Sequence, residues 1–581
     1  MHNTLELSGT SLSIEQLWEV AHAKFDVVTP ESIICRLDNV RKHVERLIDL
    51  GKPVYGLNTG FGALAEHAIS KEDLKALQRN LILSHAVGVG EPLSSIEARA
   101  LMLLRANTLA QGYSGIRSIV LKTLVELLNK GVTPHVPRKG SVGASGDLAP
   151  LSHLALLLIG EGDAYIHGQP MSAREALAQA KIAAIVLEAR EGLALINGTQ
   201  AMVAVGGLAT KRAHDLVMLA NIIGACTHAA IGSSPTPFDA RIHEVRPHKG
   251  QISCAESIRA VLGISGRCAT STQGHGHLVQ DPYSLRCMPQ VHGATLDTIN
   301  YVCGILEREI NSATDNPLIF CSETEKGTDF PGAIALDACL RRHDKPTGSY
   351  CSMHDKAMGS YCSRHDKAMG SCGGYDKPEG NHVEALSGGN FHGQPIAFAL
   401  DFLAIAVSAL ANISERRIEQ MLNPKLSGGL PAFLAENPGI NSGYMIPQVT
   451  AAALINENKV LCYPASADSI PTSAAREDHV SMGMTSANKL CTIIENTTMV
   501  LATELLCAAQ ALDLQQEKRR SPAVEKVRAI LREGVPFAPQ DRLFMNDMAK
   551  SADLLKSGAL LNEIKELLGA KNHSSLSQVI G

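Results

Sequence analysis

A run of small residues, Ala144-Ser145-Gly146, lies within Gly140-Ser141-Val142-Gly143-Ala144-Ser145-Gly146-Asp147-Leu148-Ala149-Pro150-Leu151. By itself this reads as a flexible loop entering a helix. Asp147 is a good cap, Pro150 is tolerated in a first helical turn, and an apolar run follows over 154–159. Other residues have types suited to handling a small polar molecule. Arg286, in Asp281-Pro282-Tyr283-Ser284-Leu285-Arg286-Cys287, offers a planar fork that grips a carboxylate better than Lys would; alone it is equally a surface Arg at a helix start. Tyr55 sits in the glycine-rich loop 54–62. A phenol titrates near a pKa of about 10 and acts as a base only if positive charge or hydrogen bonds lower that value; alone it reads as a buried aromatic. Ser84-His85 is a polar pair, and Glu477 is a carboxylate in Ser473-Ala474-Ala475-Arg476-Glu477-Asp478-His479. Asn197 would suit a helix cap ahead of Gln200.

The elements that must position these residues are mostly helices. Apolar residues recur at helical spacing over 14–24, 30–50, 71–83, 95–110 and 116–130. Longer segments almost free of glycine–proline punctuation span 198–232, 287–311, 394–423, 442–459 and 480–513. Residues 394–423 are apolar on nearly every face, with Ile396, Phe398, Phe402, Ile405, Val407 and Leu410, which places them in a bundle or at a subunit interface. A thirty-residue helix runs about 45 Å, so several together predict a core of long, roughly parallel helices. Loop 54–62 matches neither the dinucleotide nor the P-loop pattern.

Across 581 residues, 45% are hydrophobic and 19% charged, so a large core is available. The net charge of -5 leaves no basic surface that would argue for nucleic acid. No apolar run approaches membrane-spanning length, and MHNTLELSGT lacks a signal pattern, so neither a membrane nor export is expected. The fourteen cysteines are scattered, which fits reduced thiols in a cytoplasmic protein.

The string GSVGASGDLAPLSH, with YGLNTGFG around Tyr55, LINGTQ around Asn197 and QDPYSLRC from Gln280, resembles the signatures of the aromatic amino acid ammonia-lyases and aminomutases. The resemblance covers nearly all of 1–320 and 386–545. It implies that Ala144-Ser145-Gly146 cyclises into the electrophilic group 4-methylidene-imidazol-5-one, with no external cofactor and no metal. The amide nitrogen of Gly146 would attack the carbonyl carbon of Ala144, a bend that side chains would obstruct, and loss of water from Ser145 would leave the methylidene. By the same resemblance Tyr55 is the proposed base, and Arg286 holds the substrate carboxylate. Tyr283, Asn197 and Gln280 line the substrate or prosthetic group, and Phe391 packs on it. Ser84-His85 is the pattern of the histidine enzymes, although some tyrosine aminomutases share it. Glu477 stands where the histidine enzymes carry Glu and the others generally carry Gln. An imidazole needs such polar partners, because a buried N–H without one costs about 1–3 kcal/mol. Arg476 replaces the usual Gln, and a cation there is expected to lower the pKa of Glu477. The implied reaction is elimination of ammonia from L-histidine to trans-urocanate, in a homotetramer whose active sites are shared between subunits. A tyrosine or phenylalanine lyase or aminomutase, a lyase for a modified histidine, and a non-enzymatic helical scaffold are the alternatives. The joint presence of the triplet, Tyr55, Tyr283 and Arg286 argues against the last.

The expected fold is therefore mainly α, ammonia-lyase-like, with a mixed N-terminal region (1–200) and a helical bundle (201–320 and 387–520). An insertion (321–386) and a C-terminal helical region (521–581) complete it. The insertion repeats HDKPTGSYCSM, HDKAMGSYCSR and HDKAMGSCGG from His343, His354 and His365. Its composition reads as a solvent-exposed loop. Cys351 with His354, and Cys362 with His365, are spaced C-x2-H with Cys372 beyond, but this matches no standard zinc site.

Overall fold

The computed structural model describes residues 3–50, 54–60, 62, 67, 69–268, 280–322, 382–515 and 520–569. Helical periodicity translates directly into helices: Leu74–His85, Ser95–Ala110 and Ser118–Asn129 in the first part, then Gln200–Ile231, Met288–Ile310, Gln394–Leu422, Met445–Leu461 and Gly483–Asp513. Several starts are set by side-chain caps. Ser13 and Ser94 accept from the backbone N–H three residues on, and Gln16 and Glu97 bond back to the cap.

The N-terminal region is mixed, as expected. Strand Asn3–Glu6 pairs in parallel with Phe25–Val28, and Asp163–Ile166 lies between Val132–Pro134 and Gln169–Ser172, antiparallel to both. Strand Val89–Pro92 pairs antiparallel with Pro137–Lys139. That ladder carries the chain after His85 alongside the segment that enters Gly140.

Gln394–Leu422 packs on Gly483–Asp513, which packs on Gln200–Ile231, and Met288–Ile310 joins them. Three of these helices correct one expectation. Gln200–Ile231, Gln394–Leu422 and Gly483–Asp513 are long and apolar enough to cross a membrane. Isolated polar residues interrupt the apolar runs in the sequence, although the helix lengths themselves were read there. Their apolar windows are 78%, 67% and 78% buried inside the protein. The bundle satisfies those polar residues internally: Thr227, Ser414 and Arg417 all donate to the fully buried Glu504, at 2.6–2.8 Å. Glu415 and Arg417 thus lie inside the bundle, and Arg416 between them is exposed.

Residues 319–386 form a second unit, whose described part is the paired strands Leu318–Ser322 and His382–Leu386. The repeats and their Cys351, His354, Cys362, His365 and Cys372 lie outside the described residues. Among the described residues no cluster of His, Cys, Asp or Glu could hold a metal.

Candidate active site

The triplet sits where four helices begin. Gly143 O accepts from Ser481 Oγ (3.0 Å) and from the Gly393 amide (3.2 Å), and Val142 O accepts from the Met482 amide (2.8 Å). These bonds bring the N-termini of Gly483–Asp513 and Gln394–Leu422 to the loop. The start of Gln200–Ile231 arrives through Asp147 and Gly198, and Leu148–Leu158 leaves directly from Asp147. Each such end carries partial positive charge and unpaired N–H groups, so their convergence favours negative charge at Ala144-Ser145-Gly146.

Asp147 departs from its expected role. It heads Leu148–Leu158 but makes no side-chain cap there. Its carboxylate instead accepts from the Met202 amide (2.8 Å) and Ser141 Oγ (2.7 Å), stapling the loop to the Gln200–Ile231 helix. Burial pushes its pKa up to about 6, against the opposing pull of those donors.

Gly146 sits in a bend that only glycine accommodates. It has φ +73°, and a Cβ there would stand 2.1 Å from Gly198 O. Gly146 and Gly198 form an isolated parallel bridge, and the Asp147 amide donates to Gly198 O at 2.7 Å. A side chain at 146 is therefore excluded by both backbone conformation and space. Ala144 is buried and Ser145 half-buried.

Ser145 Oγ donates to Glu477 Oε1 at 2.7 Å, joining residues far apart in sequence. Glu477 is held on a strained turn in which Ser473, Ala474 and Ala475 all have φ between 52° and 61°. A backbone bridge between Thr472 and Glu477 closes the turn. Thr472 Oγ1 (2.6 Å) and Ser473 Oγ (2.9 Å) donate to Glu477 Oε2. Burial raises the carboxyl pKa, but the hydroxyls of Thr472, Ser145 and Ser473 and the charge of His85 bring it below the ordinary value. The depression expected from Arg476 is thus present for other reasons. Arg476 is exposed and contributes none of it.

Ser84 and His85 end the Leu74–His85 helix, His85 facing the same carboxylate electrostatically. His85 Nδ1 lies 2.8 Å from Leu81 O and 3.0 Å from Ser84 Oγ. A carbonyl partner places a ring proton on Nδ1, so that Nε2 accepts while the ring is neutral and donates once it is charged. Phe391 is two residues before Gly393, in the loop bonded to Gly143, and His392 Nε2 contacts His479 O at 3.1 Å. The segments carrying Ser145, Phe391 and Glu477 therefore meet.

Asn197 is not the expected cap. It ends the short helix Glu191–Ile196, while Thr199 precedes Gln200–Ile231. Its side-chain Oδ1 is buried without a hydrogen-bond partner, one residue from the Gly146–Gly198 bridge. Its carbonyl accepts from the buried Arg105 (2.8 Å), which also bonds Gln200 Oε1 (2.8 Å). Arg105 carried no signal of its own in the sequence, and it lies in the Ser95–Ala110 helix, which is buried on every face from Ala98 onward. Tyr55 is half-buried against the core. The adjacent Gly56 has φ +74° and packs against Leu193, one turn before Asn197. The orphaned Asn197 Oδ1, the side-chain-free bend at Gly146 and the converging helix starts fit a cyclised, electron-accepting triplet.

Gln280, Tyr283 and Arg286 lie elsewhere. Tyr283 is 71% exposed, the Arg286 guanidinium sits 4.7 Å over its ring, and Arg286 also donates to Gln280 Oε1. Ser284 O accepts from Arg417, 24 residues along the helix whose beginning touches Gly143. At 1.5 Å per residue that is a separation of about 36 Å. The Gln200–Ile231 helix repeats the pattern: its start bonds Asp147, and Ser234, just beyond its end, bonds Asp281 at 2.8 Å. Within one chain, the two halves of the expected site stand at opposite ends of the bundle.

A model of the aromatic amino acid lyase family matches residues 12–533. The histidine ammonia-lyase of Anaeromyxobacter sp. (strain K) is 48% identical over 565 residues, spanning 96% of this chain and 99% of its own. The crystal structure of histidine ammonia-lyase from Trypanosoma cruzi is similar at a TM-score of 0.80 and 39% identity, over 97% of this chain and 95% of that one. Tyrosine aminomutase from Streptomyces globisporus is similar at 0.82 and 35%, over 97% and 98%. On its sequence, its fold and the arrangement around Ser145, the chain belongs to the aromatic amino acid lyase family and is a carbon–nitrogen lyase.

Proposed function

We propose that the protein eliminates ammonia from L-histidine to give trans-urocanate, using Ala144-Ser145-Gly146 cyclised to methylidene-imidazolone. The observation that carries the reading is the 2.7 Å contact of Ser145 with Glu477, together with the action of His85 on the same carboxylate. Glu477, the position by which the histidine enzymes differ from most relatives, thus bonds the triplet, with His85 acting on it. Full-length similarity to proteins named histidine ammonia-lyase supports the same substrate.

Once formed, the group supplies the electrophile that lets ammonia depart. Glu477, ionised and presenting Oε1 toward the triplet, accepts the imidazole N–H of the substrate. His85 Nε2 offers a second acceptor. Asn197 Oδ1 takes a donor from the substrate or the cyclised triplet, ending its isolation. Tyr55 receives the β-proton, and Arg286 grips the carboxylate with Tyr283 and Gln280 beside it.

Because the segment carrying Arg286 meets the Gln394–Leu422 helix about 36 Å from the end that holds the triplet loop, we assign Arg286 to the site of a neighbouring subunit. A homotetramer with shared sites, as the family resemblance implies, is part of this reading. The exposed face of Gln394–Leu422, with Phe398, Phe402 and Ile405 each 46–59% exposed, supplies apolar surface for such an assembly. The ten described cysteines are free thiols, which supports a cytoplasmic location.

The test is ultraviolet absorbance on adding single amino acids to the purified protein. L-histidine is expected to give a steady rise from urocanate, and L-tyrosine and L-phenylalanine little change. Turnover of L-tyrosine equal to or faster than that of L-histidine would overturn the substrate assignment.

A further inference from the structure

A cavity of about 460 Å³ opens beside Arg138 of the Pro137–Lys139 strand. Its wall is apolar where Val205, Leu208 and Ile494 line it, and Trp18 closes one side. The volume lies in the range of small-molecule sites, and an apolar body with a few convergent charges is their usual chemistry.

The charges at its mouth do not balance. Arg138 is paired with Glu97, whose carboxylate is further occupied by the Ser94 hydroxyl and amide. Glu495 alone serves two cations: Oε1 bonds Arg212, and Oε2 bonds Lys556 at 2.6 Å. One positive charge at the mouth therefore has no carboxylate of its own. Arg212, Glu495 and Lys556 have side chains 32–43% exposed. Pairs this exposed contribute about 0–1 kcal/mol, so an incoming anion can displace Glu495 from one cation at little cost.

We propose that this cavity is a binding site for a small organic monocarboxylate, its apolar body on Val205, Leu208 and Ile494 and its carboxylate between Arg212 and Lys556. The site is separate from the lyase centre. Arg212 lies 12 residues, about 18 Å, along the helix whose start holds the triplet loop.

Trp18 is the only tryptophan in the chain, so its fluorescence reports this cavity alone. The experiment titrates sodium hexanoate into the intact protein, with hexylammonium and hexanol as cationic and neutral isosteres. A saturable change in Trp18 emission is expected with hexanoate, and none with hexylammonium. Arg212→Gln leaves Glu495 and Lys556 as a balanced pair, and loss of the contact to a cation this exposed should weaken hexanoate binding roughly two- to fivefold. The lyase rate and circular dichroism should stay as in the parent. No saturable change with hexanoate, equal binding of hexylammonium, or unchanged affinity in a folded Arg212→Gln protein would each overturn the proposal. Should that variant fail to fold, the comparison of isosteres on the parent protein decides.

Discussion

Replacing Glu477 by Gln separates what the carboxylate does from the shape it fills. Glutamine is nearly isosteric, and its carbonyl oxygen can keep the hydroxyl bonds from Thr472 (2.6 Å) and Ser473 (2.9 Å) that now end on Oε2. The amide NH2 then takes the place of Oε1 facing the triplet, and before cyclisation the Ser145 hydroxyl can accept from it. The turn at 473–475 should survive. Stability should fall by about 1–2 kcal/mol, because bonds to a charged acceptor become bonds to a neutral one. Catalysis should suffer more. A charge-assisted bond to the substrate imidazole is worth about 1.5–3 kcal/mol, or roughly 10- to 150-fold. Any part in proton transfer adds a further factor of about 10²–10⁴. The expected loss in kcat/KM for L-histidine is therefore at least about 10-fold, and about 1000-fold or more if Glu477 also moves a proton, with circular dichroism unchanged. The pH profile follows from the direction of the shift. Held below the ordinary glutamate value, the carboxyl stays ionised as pH falls through that value. Its contribution to activity and stability is lost only below it. A Gln variant within roughly threefold of the parent, where even one charged contact should cost more, would refute the assignment of Glu477 to the substrate.

Other perturbations test other parts of the account. Gly146→Ala would put a Cβ 2.1 Å from Gly198 O at φ +73°, so the protein should be destabilised and left uncyclised; a parent-like melting temperature and activity would contradict the packing described. His85→Leu removes an acceptor for the imidazole and should lower kcat/KM for L-histidine by roughly 5- to 150-fold, with a smaller loss for L-tyrosine in the same absorbance assay. Arg417→Met strands the buried carboxylate of Glu504, which now accepts four bonds, and should cost about 3–5 kcal/mol by denaturant unfolding.

The helices were the most legible part of the fold, because a 3.6-residue period survives without tertiary information. The 95–110 segment is the Ser95–Ala110 helix at both ends, and 394–423 differs from Gln394–Leu422 by one residue. The short strands around 163–172 were not read, since four-residue runs such as Asp163–Ile166 carry too little alternation. At the site, residue types alone left Ser145 in a loop and Asn197 at a cap, and it was the family resemblance that joined Ser145 to Glu477. Asp147 bonds the Met202 amide rather than capping its own helix, and nothing local distinguishes the two outcomes. The turn at 473–475 is equally hidden, because Ser-Ala-Ala has no intrinsic preference for left-handed backbone. The roughly 36 Å of helix that separates the Arg286 segment from the triplet loop depends on where long helices begin and end, which spacing in the sequence does not reveal.

The central claim is that Ala144-Ser145-Gly146 is the reactive centre, and intact mass spectrometry of the purified chain tests it most directly. The account predicts a chain lighter than its sequence by the mass of two waters, with Ser145→Ala restoring part or all of the deficit and abolishing turnover. A fully active chain at its full unmodified sequence mass would contradict it.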